Sequence, residues 1–324
     1  MSKTFWQDLP KPFFCLAPME DVTDSAFRRL IVKCGRPEVF FTEFTSTDGM
    51  ISKGAPNVTH RLEFKDIEKP LIAQIWGNDP EKYVQAVKQI DEMGFDGIDL
   101  NMGCPAKKIT KKGCCSGLIE NHNLVKEIYL ACSENSKLPI SIKTRLGFNF
   151  LDTENWADFL LNLKPPAITI HGRIAKDMSK YPADWNEIKK FVDIKNDKKS
   201  DTIIIGNGDI KNKIDGLQKQ REFKVDGLMI GRGIFDDLFI FNKDYPEKSI
   251  NSLTILEKIE LLEIHLNLFI ERWPTQRYSV LKKFYKIYLS NFDSAQKFRI
   301  EMMESRSAIE AQNIINNWKN QLVD

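Results

Sequence analysis

Gly97–Pro105 reads GIDLNMGCP, an apolar run that passes straight into an Asn, a Gly and a thiol. Short apolar runs of this kind form buried strands, and parallel strands present ligand-binding groups beyond their carboxyl ends. Asn101 and Cys104 are therefore placed at the carboxyl end of a strand. Working outward, the same pattern recurs at Phe13 to Met19, Val39 to Glu43, Leu71 to Gln74, Ile140 to Lys143, Ala167 to His171, Thr202 to Gly206 and Gly227 to Ile230. Helix-length amphipathic stretches separate most of these runs. Eight strand–helix units predict an α/β fold, a (β/α)8 TIM barrel. Its closure would point Glu20, Glu43, Gln74, Asn101, Lys143, His171, Asn207 and Arg232 at one mouth.

The 324 residues exceed a typical barrel of about 250 by enough for one further small domain. The barrel reading covers residues 1–250. From 251 to 324 the strand signal stops and a small C-terminal α-helical bundle is expected. Thr254 can cap a helix with Glu257 three residues on, and Ile255, Ile259, Leu262, Leu266 and Phe269 follow at helical spacing. Pro274 interrupts the pattern, and a second helix is expected from near Arg277.

The 47 Lys and Arg nearly balance the 45 Asp and Glu, so any preference for an anionic partner must come from local clusters. The beginning of the chain, MSKTFWQDLPKPF, lacks the apolar core of a secretory signal, and no apolar run approaches the roughly 20 residues needed to span a bilayer. A cytoplasmic protein without a membrane partner is expected, and a monomer. Cys15, Cys34, Cys104, Cys114, Cys115 and Cys132 include no C-x-x-C pair, which argues against structural zinc and for reduced thiols. No metal is expected.

Two later stretches, IIIGNGDI and LMIGRGIF, each end a branched apolar run with glycines separated by a polar residue. Glycine lets backbone N–H groups approach a phosphate, and the loops after strands seven and eight are the usual phosphate site of this barrel. The glycines fall where such a site requires them. No G-x-G-x-x-G opens a helix after the first strand, which argues against a Rossmann site.

These stretches, with APMEDVTDSAFRRL from Ala17, QIWG from Gln74, DLNMGCPAKKITKKG from Asp99, SIKTRLG from Ser141 and TIHGR from Thr169, give the chain a resemblance to the bacterial tRNA-dihydrouridine synthases. The resemblance implies an FMN-binding barrel with a helical RNA-binding domain. It also implies NADPH as electron donor and tRNA as partner. FMN would be held by Pro18, Met19, Gln74, Lys143, His171, Asn207, Gly208, Asp209, Gly231 and Arg232, with Glu20 beside them. The reaction implied is reduction of the C5–C6 bond of uridine, with hydride reaching C6 and a proton reaching C5. A thiol of ordinary pKa, about 8.5, is mostly protonated at neutral pH, which makes Cys104 the expected acid. Asn101 offers donor and acceptor groups to the uracil edge. Cys114 and Cys115 depart from the family's pattern of small residues and are read chiefly as packing residues, with an alternative proton donor among them left open.

Two basic clusters complete the reading. Lys107, Lys108, Lys111 and Lys112 precede the next acidic residue, Glu120, and suit a phosphate backbone lying over the barrel mouth. Between Arg272 and Arg299, seven cations face one carboxylate, Asp293. There Leu281, Phe284, Tyr285 and Tyr288 form an apolar stripe that leaves Arg277, Lys282, Lys283 and Lys286 for RNA. Arg145 follows Lys143 on the same strand face and is expected to reach the substrate. Two alternatives share much of this pattern: a small-molecule FMN oxidoreductase of the dihydroorotate-dehydrogenase type, and a dihydrouridine synthase acting on ribosomal RNA.

Overall fold

A computed structural model describes residues 4–245, 247–274 and 277–323. It contains the strands β1 (Phe13–Leu16), β2 (Phe40–Ser46), β3 (Leu71–Trp76), β4 (Gly97–Met102), β5 (Ile140–Arg145), β6 (Ala167–His171), β7 (Ile203–Asn207) and β8 (Gly227–Ile230). They form one parallel sheet in the order β1-β8-β7-β6-β5-β4-β3-β2. The two end strands meet where Cys15 bridges Val39, with the Leu16 amide donating to the Val39 carbonyl at 3.2 Å. This is the TIM-barrel arrangement expected from the eight runs. Two ends differ from the apolar runs. β1 stops at Leu16, two residues before Pro18, which has no N–H to give a ladder. β2 continues to Ser46 through a register shift between Phe41 and Phe44.

Side chains alternate across each strand, so every second residue points into the barrel. Toward the strands' N-terminal ends this interior is apolar, packed by Phe13, Cys15, Phe41, Ile72, Ala167, Ile203 and Met229. Trp6 seals it from a short helix, Phe5–Asp8, with its ring 6.2 Å from Phe13 and 6.4 Å from Phe41. Toward the carboxyl ends, β3 to β7 replace apolar residues by Gln74, Asp99, Asn101, Ser141, Lys143, Thr169, His171 and Asn207. The change from apolar to polar places the chemistry at one end of the barrel.

The helices between strands start where the chain supplies caps. Asp79 accepts from the amides of Glu81 and Lys82 at the start of Pro80–Asp91, and Asp184 does the same for Asn186 and Glu187 at the start of Trp185–Asp197. Pro80–Asp91 buries Tyr83, Ala86, Val87 and Ile90, the stripe that its spacing predicts.

The chain divides into two compact units, one comprising residues up to Glu20 with Pro37–Gly231, the other Asp21–Arg36 with the residues from Arg232 onward. In the second unit the helix Ser25–Cys34 packs with the C-terminal helices: Phe27 stacks on Phe284, ring centres 5.1 Å apart. The helix Ile255–Arg272 begins with the expected Thr254–Glu257 capping box. Its His265 is fully enclosed against Tyr288, with Nδ1 2.8 Å from the phenolic oxygen, and burial pushes the imidazole pKa down to about 4. It is a neutral packing residue. The single helix expected from near Arg277 is instead three short turns, Tyr278–Leu281, Lys282–Phe284 and Tyr285–Tyr288. Leu281, Phe284, Tyr285 and Tyr288 are nevertheless all buried. Phe298 and Trp318 lie flat on one another at 4.5 Å and join the helices Ala295–Glu304 and Ala308–Val323. Among the described residues no helix is long and apolar enough to cross a membrane.

Gly206 on β7 shows how tightly the first unit is packed. A Cβ there would meet the Trp185 ring at 2.5 Å, and that indole is fixed by its own bond to the Gly208 carbonyl at 3.0 Å. Gly206→Ala is expected to lower the unfolding free energy by about 1–3 kcal/mol, the usual cost of overpacking, as read by urea denaturation.

Candidate active site

The polar wall of the barrel is organised around Asp99, a fully buried carboxylate on β4. Ser141 donates to its Oδ1 and the Gln74 amide nitrogen to its Oδ2, both at 2.7 Å. Because a carboxylate only accepts, the Gln74 amide must turn its nitrogen toward Asp99 and its oxygen away. That oxygen accepts from the Asn101 amide nitrogen at 2.9 Å, and the Asn101 oxygen in turn accepts from the backbone amides of Gly103 and Cys104 at 3.1 and 3.0 Å. One buried charge thus orients two amides and the turn that carries the thiol. Asn101 was expected to offer both donor and acceptor to a substrate. Its oxygen is used twice within the turn, which leaves one amide hydrogen for a ligand. Burial raises the Asp99 pKa to about 6, against the lowering effect of Ser141, Gln74 and Lys143.

Cys104 is half-buried on the turn after β4. The expectation of an ordinary thiol is not met: its pKa is lowered to about 6, first by a side-chain hydrogen bond with Cys115, then by the Ala106 amide and the Arg145 charge, with burial and Glu20 opposing. Arg145 was expected to contact substrate. Its guanidinium instead donates to the Gly103 carbonyl at 2.7 Å and to those of Ile174 and Met178 at 3.2 and 2.9 Å. It clamps the thiol turn from the neighbouring strand.

Lys143, one strand over, donates to the Asn207 oxygen at 3.2 Å, and Asn207 donates to the Met229 carbonyl at 2.8 Å. Desolvation and the nearby Arg145 push its pKa down to about 8, while Asp99 and Cys104 oppose. His171 lies 3.0 Å from Arg173 through Nε2; because arginine only donates, Nε2 is the accepting nitrogen. Arg173, not singled out in the sequence, is buried and pairs with Asp209, whose carboxylate also accepts the Ala183 amide at 2.8 Å. Asp209 therefore faces a protein cation rather than an open anion site. Gly208 has φ +132, and a Cβ there would lie 2.6 Å from Ala183, so this loop needs glycine for conformation and space. Gly231 differs: a Cβ would meet nothing nearer than 3.7 Å, the Ala17 side chain. Beside Pro18 and Met19, Glu20 forms an ion pair with Arg61, whose Nε donates at 2.9 Å. Arg232 opens the short turn Arg232–Phe235 of the second unit.

The lysines after the thiol are exposed: Lys107 and Lys108 on the one-turn helix Lys107–Thr110, Lys111 and Lys112 just beyond. In the second unit Arg277 pairs with Asp21, Lys283 donates to the Asp21 carbonyl at 2.7 Å, and Lys282 donates to the Met303 carbonyl at 2.6 Å. Lys286 is exposed. Sequence reading also passed over Asp99, Ser141 and Arg61. Asp99 was legible as an acid two residues before Asn101 within an apolar strand, hence on the same inward face. Arg61 lies in the short 3-10 turn His60–Leu62, which no local sequence pattern marks.

A parallel barrel with its polar and titratable groups gathered at the strands' carboxyl ends defines a TIM-barrel enzyme. Comparison with known proteins places it more closely: a family model described as dihydrouridine synthase matches residues 15–322. The chain is 39% identical over 328 residues to a probable tRNA-dihydrouridine synthase of Staphylococcus aureus (strain MRSA252), covering 99% of this chain and 98% of the relative. It is 38% identical over 330 residues to probable tRNA-dihydrouridine synthase 2 of Bacillus subtilis (strain 168), covering 100% and 99%. The chain belongs to the dihydrouridine synthase family. Among solved structures, histamine dehydrogenase from Rhizobium sp. 4-9 shares the fold at a TM-score of 0.54 and 14% identity, covering 79% of this chain and 48% of the other.

The buried acid gives a pH test. A carboxyl whose folded pKa lies above its unfolded value favours folding when protonated, so that benefit is full below about pH 4 and lost as pH rises to about 6. A shift of this size corresponds to about 3 kcal/mol. Asp99→Asn is expected to gain stability relative to the parent between pH 4 and 6.5 by up to that amount, as measured by urea unfolding at both pH values.

Proposed function

We propose that this protein reduces uridine in tRNA to 5,6-dihydrouridine, using FMN that NADPH has reduced. The observation that carries the reading is the hydrogen-bonded wall from Asp99 through Gln74 and Asn101 to the turn of Cys104, which sets a titratable sulfur beside an oriented amide. Membership of the family and the names of its curated relatives support the substrate.

The residues fit a flavin mononucleotide. At Gly231 a Cβ would make only ordinary contact with Ala17 and Met19, and Gly208 keeps the preceding loop close to His171. Pro18, Met19, Gln74, Lys143, His171, Asn207, Gly208 and Gly231 would hold it, with Lys143 supplying positive charge from the barrel wall. When bound, FMN supplies the hydride that C6 of the uracil receives. Cys104 gives the proton that C5 requires. Asn101 uses its remaining amide hydrogen to hold the uracil edge, while Arg145 and the Asn101 oxygen fix the thiol turn. Asp209 acts on Arg173 rather than on phosphate.

A uracil within folded RNA must be turned outward to enter a barrel mouth, at a cost of about a few kcal/mol. Lys107, Lys108, Lys111 and Lys112 offset that cost by holding backbone phosphates, and Lys286 and its neighbours in the second unit contribute a further cationic surface. The reading places the protein in the cytoplasm with its tRNA, acting as a monomer.

Mass-spectrometric mapping of unmodified tRNA and ribosomal RNA after incubation with the protein, FMN and NADPH tests the proposal. Dihydrouridine in tRNA is expected, and product confined to ribosomal RNA would change the substrate. Cys104→Ala should keep flavin and RNA binding while product formation falls by about 10²–10⁴, the usual worth of a general acid. Replacing Lys107, Lys108, Lys111 and Lys112 together by Ala should make the slope of log affinity against log salt shallower by about 3, the value for four lost phosphate contacts at roughly 0.7–0.9 each. An unchanged slope would remove these lysines from the RNA surface.

A further inference from the structure

The loops after β4 and β5 enclose a cavity of about 490 Å³ at the same end of the barrel as Cys104, and none of its lining residues belongs to the site described above. Part of the lining is an aromatic stack: His122 lies over Phe159 at 4.4 Å and Trp156 at 5.1 Å, and the buried Trp156 indole donates to Thr144 Oγ1 on β5 at 3.0 Å. Another part is the turn between β5 and the helix Thr153–Asn162. That turn is held firmly. The Asp152 amide donates to the Leu146 carbonyl at 3.1 Å, the Lys176 amide to the Phe148 carbonyl at 2.9 Å, and a Cβ on Gly147 would collide with the Phe150 carbonyl. Yet the turn keeps Phe150 67% exposed and its neighbour Leu151 50% exposed. Adjacent large apolar side chains held in water on a fixed turn mark a contact surface. Four lysines reach the cavity's edge through the chain itself. The helix Lys107–Thr110 packs so closely on the turn Cys115–Glu120 that a Cβ on Gly117 would lie 2.8 Å from the Thr110 carbonyl oxygen, and that turn ends at the cavity in Glu120.

We propose that this cavity takes one unstacked guanine of the RNA whose uridine is reduced, stacked on Phe150 and read by Glu120. This rests on the dihydrouridine synthase reading above. Proteins take up unstacked RNA bases on exposed aromatic rings flanked by polar groups, which is what Phe150 and its surroundings supply. Lys107, Lys108, Lys111 and Lys112 suit the phosphates on either side of such a base. The cavity itself carries the carboxylates of Glu120 and Asp152, which repel phosphate, so a base edge fits there and the backbone does not. Asp152 already accepts from the Asn155 amide at 2.8 Å. The Asn149 amide donates to one Glu120 oxygen at 2.7 Å and steadies an exposed carboxylate, whose further lone pairs can still accept. Among the four bases only guanine presents two adjacent donors, N1–H and N2–H, on one edge. Adenine and cytosine set an amino group beside an acceptor, and uracil sets its single N–H between two carbonyls. An acceptor-only group such as Glu120 therefore selects guanine.

Binding of an unmodified tRNA transcript to the FMN-supplied protein without NADPH, measured by filter retention at several salt concentrations, tests this. Phe150→Ala should weaken binding by about 5- to 150-fold, the worth of one stacked base, and leave the slope of log affinity against log salt unchanged. Glu120→Gln separates base reading from electrostatics. Removing a negative charge from an RNA-binding surface tightens binding if charge alone matters, whereas loss of the guanine contact should weaken it by about 5-fold or more. Both side chains are exposed, so each variant should keep the parent's urea midpoint, and lost affinity then reports the contact rather than the fold. In transcripts carrying 6-thioguanosine at a small fraction of the guanosines, ultraviolet crosslinking should attach a guanine to the segment bearing Phe150. Unchanged affinity in Phe150→Ala, tighter binding in Glu120→Gln, or crosslinking of that segment by 4-thiouridine in place of 6-thioguanosine would each overturn the guanine pocket. The functional reading fails separately: a parent protein that binds tRNA, with both variants weakened as expected, but forms no dihydrouridine would uphold the pocket and defeat the reading.

Discussion

A carboxylate enclosed in a parallel barrel must be met by donors, and the way Asp99 meets that demand orients the rest of the site. Two donors, Ser141 and Gln74, reach its oxygens from strands on either side. Because each amide has a donor end and an acceptor end, fixing the first fixes the second, and the direction runs from Asp99 through Gln74 and Asn101 to the backbone of Gly103 and Cys104. The backbone amides of Gly103 and Cys104, which can only donate, fix the same direction from the other end. Fold and site orientation are thus supported by different interactions in the same wall.

The same wall gathers positive charge. Lys143 and Arg145 point inward from β5, and burial lowers both pKa values, aided at Lys143 by the Arg145 charge and at Arg145, which falls to about 10, by the Arg173 charge. The two cations are spent differently. Arg145 bonds three backbone carbonyls and holds a turn, whereas Lys143 bonds an amide oxygen. Arg173 resembles Arg145: with Tyr181 carbonyl, His171 and Asp209 around it, it arranges the loops after β6 and β7. Arg145 and Arg173 thus tie down the surrounding loops, whereas Lys143 bonds a side-chain amide.

The second unit shows a comparable division. Its buried aromatic cluster of Phe27, His265, Phe284 and Tyr288 uses a neutral histidine as a packing group, and the basic residues around the three short turns are held by Asp21 and by the carbonyl end of Ala295–Glu304. Holding a lysine head at a helix's carboxyl end is favourable in its own right. A cationic stretch in the sequence therefore divides between internal bonds and exposed charge, as Lys282 and Lys286 illustrate.

The eight strands, the cap at Thr254, and the inward set of Gln74, Asn101, Lys143, His171 and Asn207 were legible in the sequence. They depend on period-two alternation and on local hydrogen bonds between residues a few positions apart. What tertiary structure alone decided was how those side chains use one another. Arg145 and Lys143 share a strand face and differ only in which loops surround them. Asp209 belongs to the same glycine motif that suggested phosphate, yet pairs with Arg173 from the loop after β6. Each of these outcomes depends on partners distant in the chain or on loop conformation, and neither spacing nor composition encodes the contact. The sequence by itself determined the barrel and its inward-facing residues, because periodicity is local; only tertiary structure set their partners and charge states, because desolvation and hydrogen bonding depend on what surrounds each group.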